Sequence, residues 1–175
     1  MHKNVKNFIN EIRKETPLYF NSKKVLDCGS LNINGSNRSF FKDCAYTGID
    51  IVNGNNVDFV TDAASYMKEL SEVYDVVIST EMLEHDKHYA ESLKAMFRLL
   101  KNGGLLIVTA ASRGRKEHGT TNNSPNDSPL TNNYYCNVTV EMLQEAIDFN
   151  QFDWFILKYE KQFGDIQFAG IKNEV

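Results

Sequence analysis

Two short strings constrain this chain more than any other feature: Val25-Leu26-Asp27-Cys28-Gly29-Ser30 and Tyr46-Thr47-Gly48-Ile49-Asp50. The first reads as an apolar strand that ends in an acidic residue and a glycine turn, the second as a short strand that ends in an exposed carboxylate. Gly29 and Asp50 stand 21 positions apart. In a parallel α/β sheet that spacing places a tight glycine loop beneath a nucleotide-like ligand and a carboxylate at its ribose hydroxyls. The run Gly29-Ser30-Leu31-Asn32-Ile33-Asn34-Gly35 carries Leu31 where a pyrophosphate-binding loop needs its second glycine, and only Ser36 to Ala45 separate it from the next strand. A nucleoside cofactor without phosphates therefore fits better than a dinucleotide.

The remainder alternates. Val5, Phe8, Ile9 and Ile12 repeat at helical spacing before Pro17, which marks residues 1–16 as an amphipathic helix. Strands are expected at Lys24–Cys28, Tyr46–Asp50, Val57–Val60, Asp75–Ser79, Leu105–Ala110, Phe152–Tyr159 and Gln167–Lys172. Helical segments are expected near Ser36–Lys42, Ala64–Leu70 and His88–Leu100, and from a Thr139 cap through Phe149. This order implies a doubly wound, mostly parallel seven-stranded α/β sheet with one antiparallel strand, Rossmann-like, with helices on both faces and residues 1–175 in one domain. The stretch 112–138 is rich in Asn, Ser, Thr and Pro and has no periodicity. It follows a strand whose carboxyl end should face the ligand, so it reads as a substrate loop or lid, with Tyr134 and Tyr135 placed to stack a ring or sugar.

The ordered strings resemble those of class I S-adenosylmethionine (SAM) methyltransferases, in particular the small type 11 group. Val25–Ser30 is similar to that family's first motif and Gly48-Ile49-Asp50 to its ribose-binding acidic motif. Asn56–Ala63, Tyr74–His85 and Leu99–Val108 are similar to the three segments that follow, so the match runs from residue 24 to 110. The departure is the first motif, where only Gly29 stands in register. Beyond Ser112 the chain faintly resembles phage and bacterial members. The resemblance implies SAM as cofactor, with Gly29 and Ser30 at its methionine part, Asp50 on the ribose, Ile51 on the adenine ring and Asp62 at the adenine amino group. Ser79 and Thr80 would lie near the sulfonium, and Asp27 would hold the amides of the glycine loop from below.

The fourth segment lacks the Asn/Asp-Pro-Pro-aromatic string of amino-methylating DNA enzymes, and no Pro-Cys nucleophile is present. The expectation is methylation of an O or N atom of a small molecule or glycan. Glu81, Glu84 and His85 form Glu-x-x-Glu-His, and Lys116-Glu117-His118-Gly119-Thr120 offers a second histidine. His118, His85 and Glu81 are the candidate catalytic residues, with an imidazole acting as base and no metal. Two alternatives stand beside it: a Mg²⁺ held by Glu81, Glu84, His85 and His118, because the first string is similar to metal-binding segments of quinone-biosynthetic and small-RNA 2′-O-methyltransferases, and a structural role in which the string only orients the loop, as its resemblance to metal-free type 11 relatives implies. His2 and His88 read as ordinary surface residues.

Composition bounds the partners. A 175-residue chain with 42% apolar content can bury a substantial core. No apolar run approaches a membrane span, the start Met1-His2-Lys3-Asn4 is not a signal peptide, and Cys28, Cys44 and Cys136 lack metal spacing, so a cytoplasmic protein with reduced thiols is expected. A net charge of −4 without a long basic run argues against a nucleic-acid duplex as partner, and Lys23-Lys24 and Arg113-Gly114-Arg115-Lys116 read as solvated charges. Two other classes stay open: a nucleotide-dependent reductase or epimerase, and an inactive SAM-binding accessory subunit. The oligomeric state is left open.

Overall fold

The computed structural model describes residues 2–174. The Val5, Phe8, Ile9 and Ile12 stripe forms α1 (Lys3–Glu15), and all four side chains are buried. Thr16 closes it, its hydroxyl donating to the Ile12 carbonyl at 2.8 Å, and Pro17 opens a 3₁₀ turn. The strands are β1 (Lys24–Cys28), β2 (Ala45–Asp50), β3 (Phe59–Val60), β4 (Tyr74–Thr80), β5 (Leu100–Ala111), β6 (Phe152–Glu160) and β7 (Asp165–Lys172). They form one sheet in the order β3-β2-β1-β4-β5-β7-β6, in which only β7 runs against its neighbours.

Each face of the sheet is covered. On one, α1 packs on Val25, Val76, Ile78, Leu105 and Ile107. On the other, Leu93, Met96 and Leu99 of α2 (Tyr89–Leu99) and Leu143 of α3 (Val140–Ala146) pack on Leu26, Val77, Leu106 and Val108. Alternate residues of each strand therefore serve opposite layers, the period-2 consequence of a sheet buried on both faces. No helix among the described residues is long and apolar enough to cross a membrane.

Four sequence expectations give way locally. Ser36–Lys42 is a single 3₁₀ turn, Asn37–Phe40, because ten residues leave no room for a crossover helix. Ala64–Leu70 is a series of turns: Arg98 donates to the Met67 carbonyl at 3.0 Å and to the Tyr66 carbonyl at 3.4 Å, so tertiary bonds take carbonyls a helix would use. The third strand shortens to two residues: just before it Asp58 meets Gly48 of β2 twice, its amide donating to the Gly48 carbonyl at 2.8 Å while its carboxylate accepts the Gly48 amide at 2.7 Å in place of a backbone carbonyl. Finally, α3 stops at Ala146, because Asp148 accepts from the Asn150 amide and caps a separate turn.

The stretch 112–138 is not structureless. Ser112 donates to Gly164, Cys136 to Glu84 and Val138 to Ala111 through their amides, which pins both ends to the sheet. Thr120 and Asn123 pair through their backbones, and the Asn137 side chain donates to the Arg115 carbonyl at 3.2 Å.

Candidate functional site

The carboxyl ends of β1, β2 and β4 open on a cavity of about 440 Å³, and the 112–138 stretch forms its opposite wall. Gly29 stands where β1 enters it. Its φ of +78° and the 2.6 Å gap between a built Cβ and the Met82 side chain leave no residue but glycine there. Asp50, at the end of β2, also lines the cavity. Its two oxygens accept the amides of Leu31 (3.1 Å) and Val52 (3.0 Å), which orients the carboxylate and leaves each oxygen a lone pair. Burial raises its pKa above the ordinary carboxylate value. Ile51 and Asp62 line the same wall; Asp62 accepts the Ser65 amide at 2.8 Å through one oxygen.

Three expected roles change. Ser30 spends its amide on the Ile49 carbonyl and its hydroxyl on the Asn56 carbonyl, so it ties the loop to the residue 53–56 turn. Asp27 does not hold loop amides. It accepts from the Asn37 amide group (3.0 Å) and the Tyr46 hydroxyl (2.5 Å), and burial lifts its pKa to about 6 despite both bonds. Ser79 is fully buried with its hydroxyl unpartnered and lies outside the cavity wall, whereas Thr80 lines it, bonded to Asn37 at 3.1 Å. Asn37 thus joins the ends of β1 and β4. Its sole signal in the sequence is the Ser36 cap that sets the turn.

At the far end, Glu81 follows β4 with φ +55°, a left-handed conformation that a non-glycine residue holds only under constraint. Thr109 supplies that constraint twice: its carbonyl accepts the Glu81 amide and its hydroxyl donates to the carboxyl at 3.0 Å. The second carboxyl oxygen is buried without a partner. Burial and the nearby Asp165 charge raise the Glu81 pKa to about 7, against the Thr109 bond.

Glu84 is fully buried and neither of its carboxyl oxygens has a partner. Burial, then the Glu81 charge, push its pKa well above the carboxylate range. Ligand atoms of Glu84, His85 and His118 lie within 4.8 Å of one another; Glu81 does not join this group. Burial, then His118, lower the His85 pKa to about 4. His118 Nδ1 lies 3.0 Å from the Lys116 carbonyl. It donates there, which leaves Nε2 with a free lone pair. Gly119 (φ +62°) makes the approach feasible, since a Cβ would sit 2.6 Å from the His85 ring.

Tyr134 and Tyr135 are absent from the cavity wall. Tyr135 instead packs edge-on against both imidazoles, at ring-centroid distances of 5.6 Å (His85) and 5.1 Å (His118), and donates to Asn137. His2 is exposed, as expected, but it also stands at the rim of the cavity and meets Arg115 at 3.2 Å. Arg115 is no solvated charge: it pairs with the buried Asp165 at 2.8 Å.

Known proteins resemble the chain in sequence and in fold. A ubiquinone biosynthesis O-methyltransferase of Pseudomonas fluorescens is 30% identical over 110 residues, covering 55% of this chain and 47% of its own length. The chain thus spans about half the length of that relative. A 1,6-didemethyltoxoflavin-N1-methyltransferase of Burkholderia thailandensis superposes over 98% of this chain and 79% of its own, with TM-score 0.65 at 14% identity. A phosphoethanolamine N-methyltransferase of Haemonchus contortus superposes over 97% of this chain and 53% of its own, with TM-score 0.67 at 16% identity. At such identities the two structures speak for the fold alone. The family model described as a methyltransferase domain matches residues 1–152, and with that match the chain belongs to the methyltransferase-domain family.

Proposed function

We propose that this chain is a SAM-dependent methyltransferase whose acceptor is a hydroxyl oxygen on a small molecule or sugar, assisted by a divalent cation at Glu84, His85 and His118. The observation that carries the reading is the continuity of one cavity from Gly29, Asp50 and Asp62 to Glu81, His85 and His118. One half offers a glycine cradle and an oriented carboxylate for a nucleoside; the other gathers acid–base groups. The ubiquinone-pathway relative is named for O-methylation, which agrees with an oxygen acceptor.

Bound SAM supplies an electrophilic methyl group whose leaving group is a neutral thioether. The chain's own work is to hold the acceptor oxygen in line at about 3 Å, exclude water and receive the hydroxyl proton. Glu81 fits the base role better than His85. A group with pKa about 7 ionises at neutral pH yet accepts a proton readily, whereas His85, at about 4, is too weak a base to drive the transfer. In that role the Glu81 carboxylate would take the acceptor O–H proton during methyl transfer.

A neutral His85, a His118 oriented by a carbonyl and a buried carboxyl with two vacant oxygens suit a cation. Two imidazoles and one carboxylate favour Mn²⁺, Fe²⁺ or Zn²⁺ over the oxygen-preferring Mg²⁺. Such an ion would neutralise Glu84 and draw in an acceptor oxygen. The second reading, a metal-free imidazole base, rests on His118, which keeps Nε2 free at the cavity wall.

Transfer of labelled methyl from SAM to a panel of phenols and sugars, with and without chelator, tests both readings. Activity lost to chelator and restored by Mn²⁺ is expected. Activity indifferent to chelator removes the cation, and failure to bind S-adenosylhomocysteine removes the methyltransferase.

A further inference from the structure

Next to the main cavity lies a groove of about 420 Å³ between the first turn of α1 and the β6–β7 turn. Its titratable lining residues are His2, Lys3, Arg115 and Lys116, with no carboxylate among them. In a chain with 23 acidic and 19 basic residues, such a wall runs against composition. His2, Arg115 and Lys116 also line the acceptor end of the main cavity, so groove and cavity share a wall.

Two further features make the groove attractive to negative charge. α1 has 13 residues and no acid in its first turn, and His2 makes no capping bond through its side chain. The positive end of that helix is therefore left uncompensated by its own side chains. Asp165 neutralises Arg115 from behind but also fixes its guanidinium, which bonds Asp165 and the Phe163 carbonyl on one side and faces His2 on the other. The uncompensated charge is then carried by Lys3 and Lys116, neither of which enters an ion pair among the described residues.

We propose that this groove holds an anionic group, carboxylate or phosphate, carried by the methyl acceptor, so that the acceptor reaches from Lys3 and Lys116 to Glu81. This rests on the methyltransferase reading and narrows its substrate to anionic hydroxyl compounds.

The test is calorimetry on the full chain saturated with S-adenosylhomocysteine, titrated with benzoate, phenyl phosphate, neutral benzyl alcohol and inorganic phosphate. At least one anionic ring should bind about tenfold more tightly than the alcohol, and the better of the two names the group. Raising the salt concentration should erode that preference. Lys3→Ala and Lys116→Ala should each weaken the anion about three- to tenfold with cofactor affinity unchanged, and Lys116→Arg should restore it. Equal binding of anionic and neutral rings, or a preference that survives the double alanine variant, overturns the proposal. If S-adenosylhomocysteine does not bind, the methyltransferase reading fails separately. Inorganic phosphate then decides for the groove alone: binding lost in the double variant supports it, and no binding overturns it.

Discussion

Glu84→Gln separates a cation site from a structural cluster. The side chain is fully buried, both carboxyl oxygens lack partners and burial raises its pKa well above the usual carboxylate value, so in the absence of a cation the fold favours its neutral form. Glutamine is neutral and nearly the same shape, and the metal-free protein should change by no more than about 1–2 kcal/mol, the cost of an unpaired amide. A cation held by the native state alone stabilises it by about 2.7 kcal/mol when present at a hundred times its Kd. With about 2.1 cal/mol/K of unfolding entropy per residue, 175 residues give about 0.37 kcal/mol/K, so Tm should rise by about 7 °C. Scanning calorimetry with Mn²⁺ or Zn²⁺ should show that rise in the parent and almost none in Glu84→Gln. The rise should grow with pH, because binding displaces the Glu84 proton. No shift in the parent, or the same shift in the variant, refutes the cation site.

Three other outcomes follow. Asp50→Ala should weaken S-adenosylhomocysteine by about 1.5–3 kcal/mol in calorimetry, since it removes charge-assisted bonds to the ligand and also releases the Leu31 and Val52 amides; unchanged affinity would move the ribose elsewhere. Gly29→Ala forces a Cβ into Met82 and a strained φ, and should lower Tm and abolish cofactor binding together, at about 1–3 kcal/mol for the backbone alone. For pH, kcat/KM should climb as pH rises through about 7, because Glu81 works only as the carboxylate. Thr109→Val, which deletes a bond that lowers the Glu81 pKa, should move that midpoint upward.

On the nucleoside side, the places of Gly29, Asp50 and Asp62 at the cavity wall were legible for a physical reason: they stand at strand ends and turns, where identity and spacing are local properties, whereas Asp27, Ser30 and Ser79 take partners or burial that spacing does not reveal. The acceptor half was legible as a set of candidates but not in its division of labour. Glu81 and Glu84 are three residues apart, yet one turns to Thr109 and the other to the histidine pair, because a left-handed residue at the end of β4 redirects the chain. Burial then raises the proton affinity of both, and the burial of a carboxylate in a polar string leaves no periodic trace in the sequence.

What the sequence determined alone was the order of the strands, the amphipathic first helix, the position of the antiparallel closing pair and the glycine–carboxylate spacing, since each depends on short-range periodicity. Tertiary structure alone decided that Asn37 bridges Asp27 and Thr80, that Tyr135 backs the imidazoles, and that Arg115 is held by Asp165 across 50 positions. Those contacts join segments whose separation along the chain is arbitrary. They exist because the sheet brings strand ends and the returning loop to one edge, where buried polar groups must find partners in whatever lies nearby.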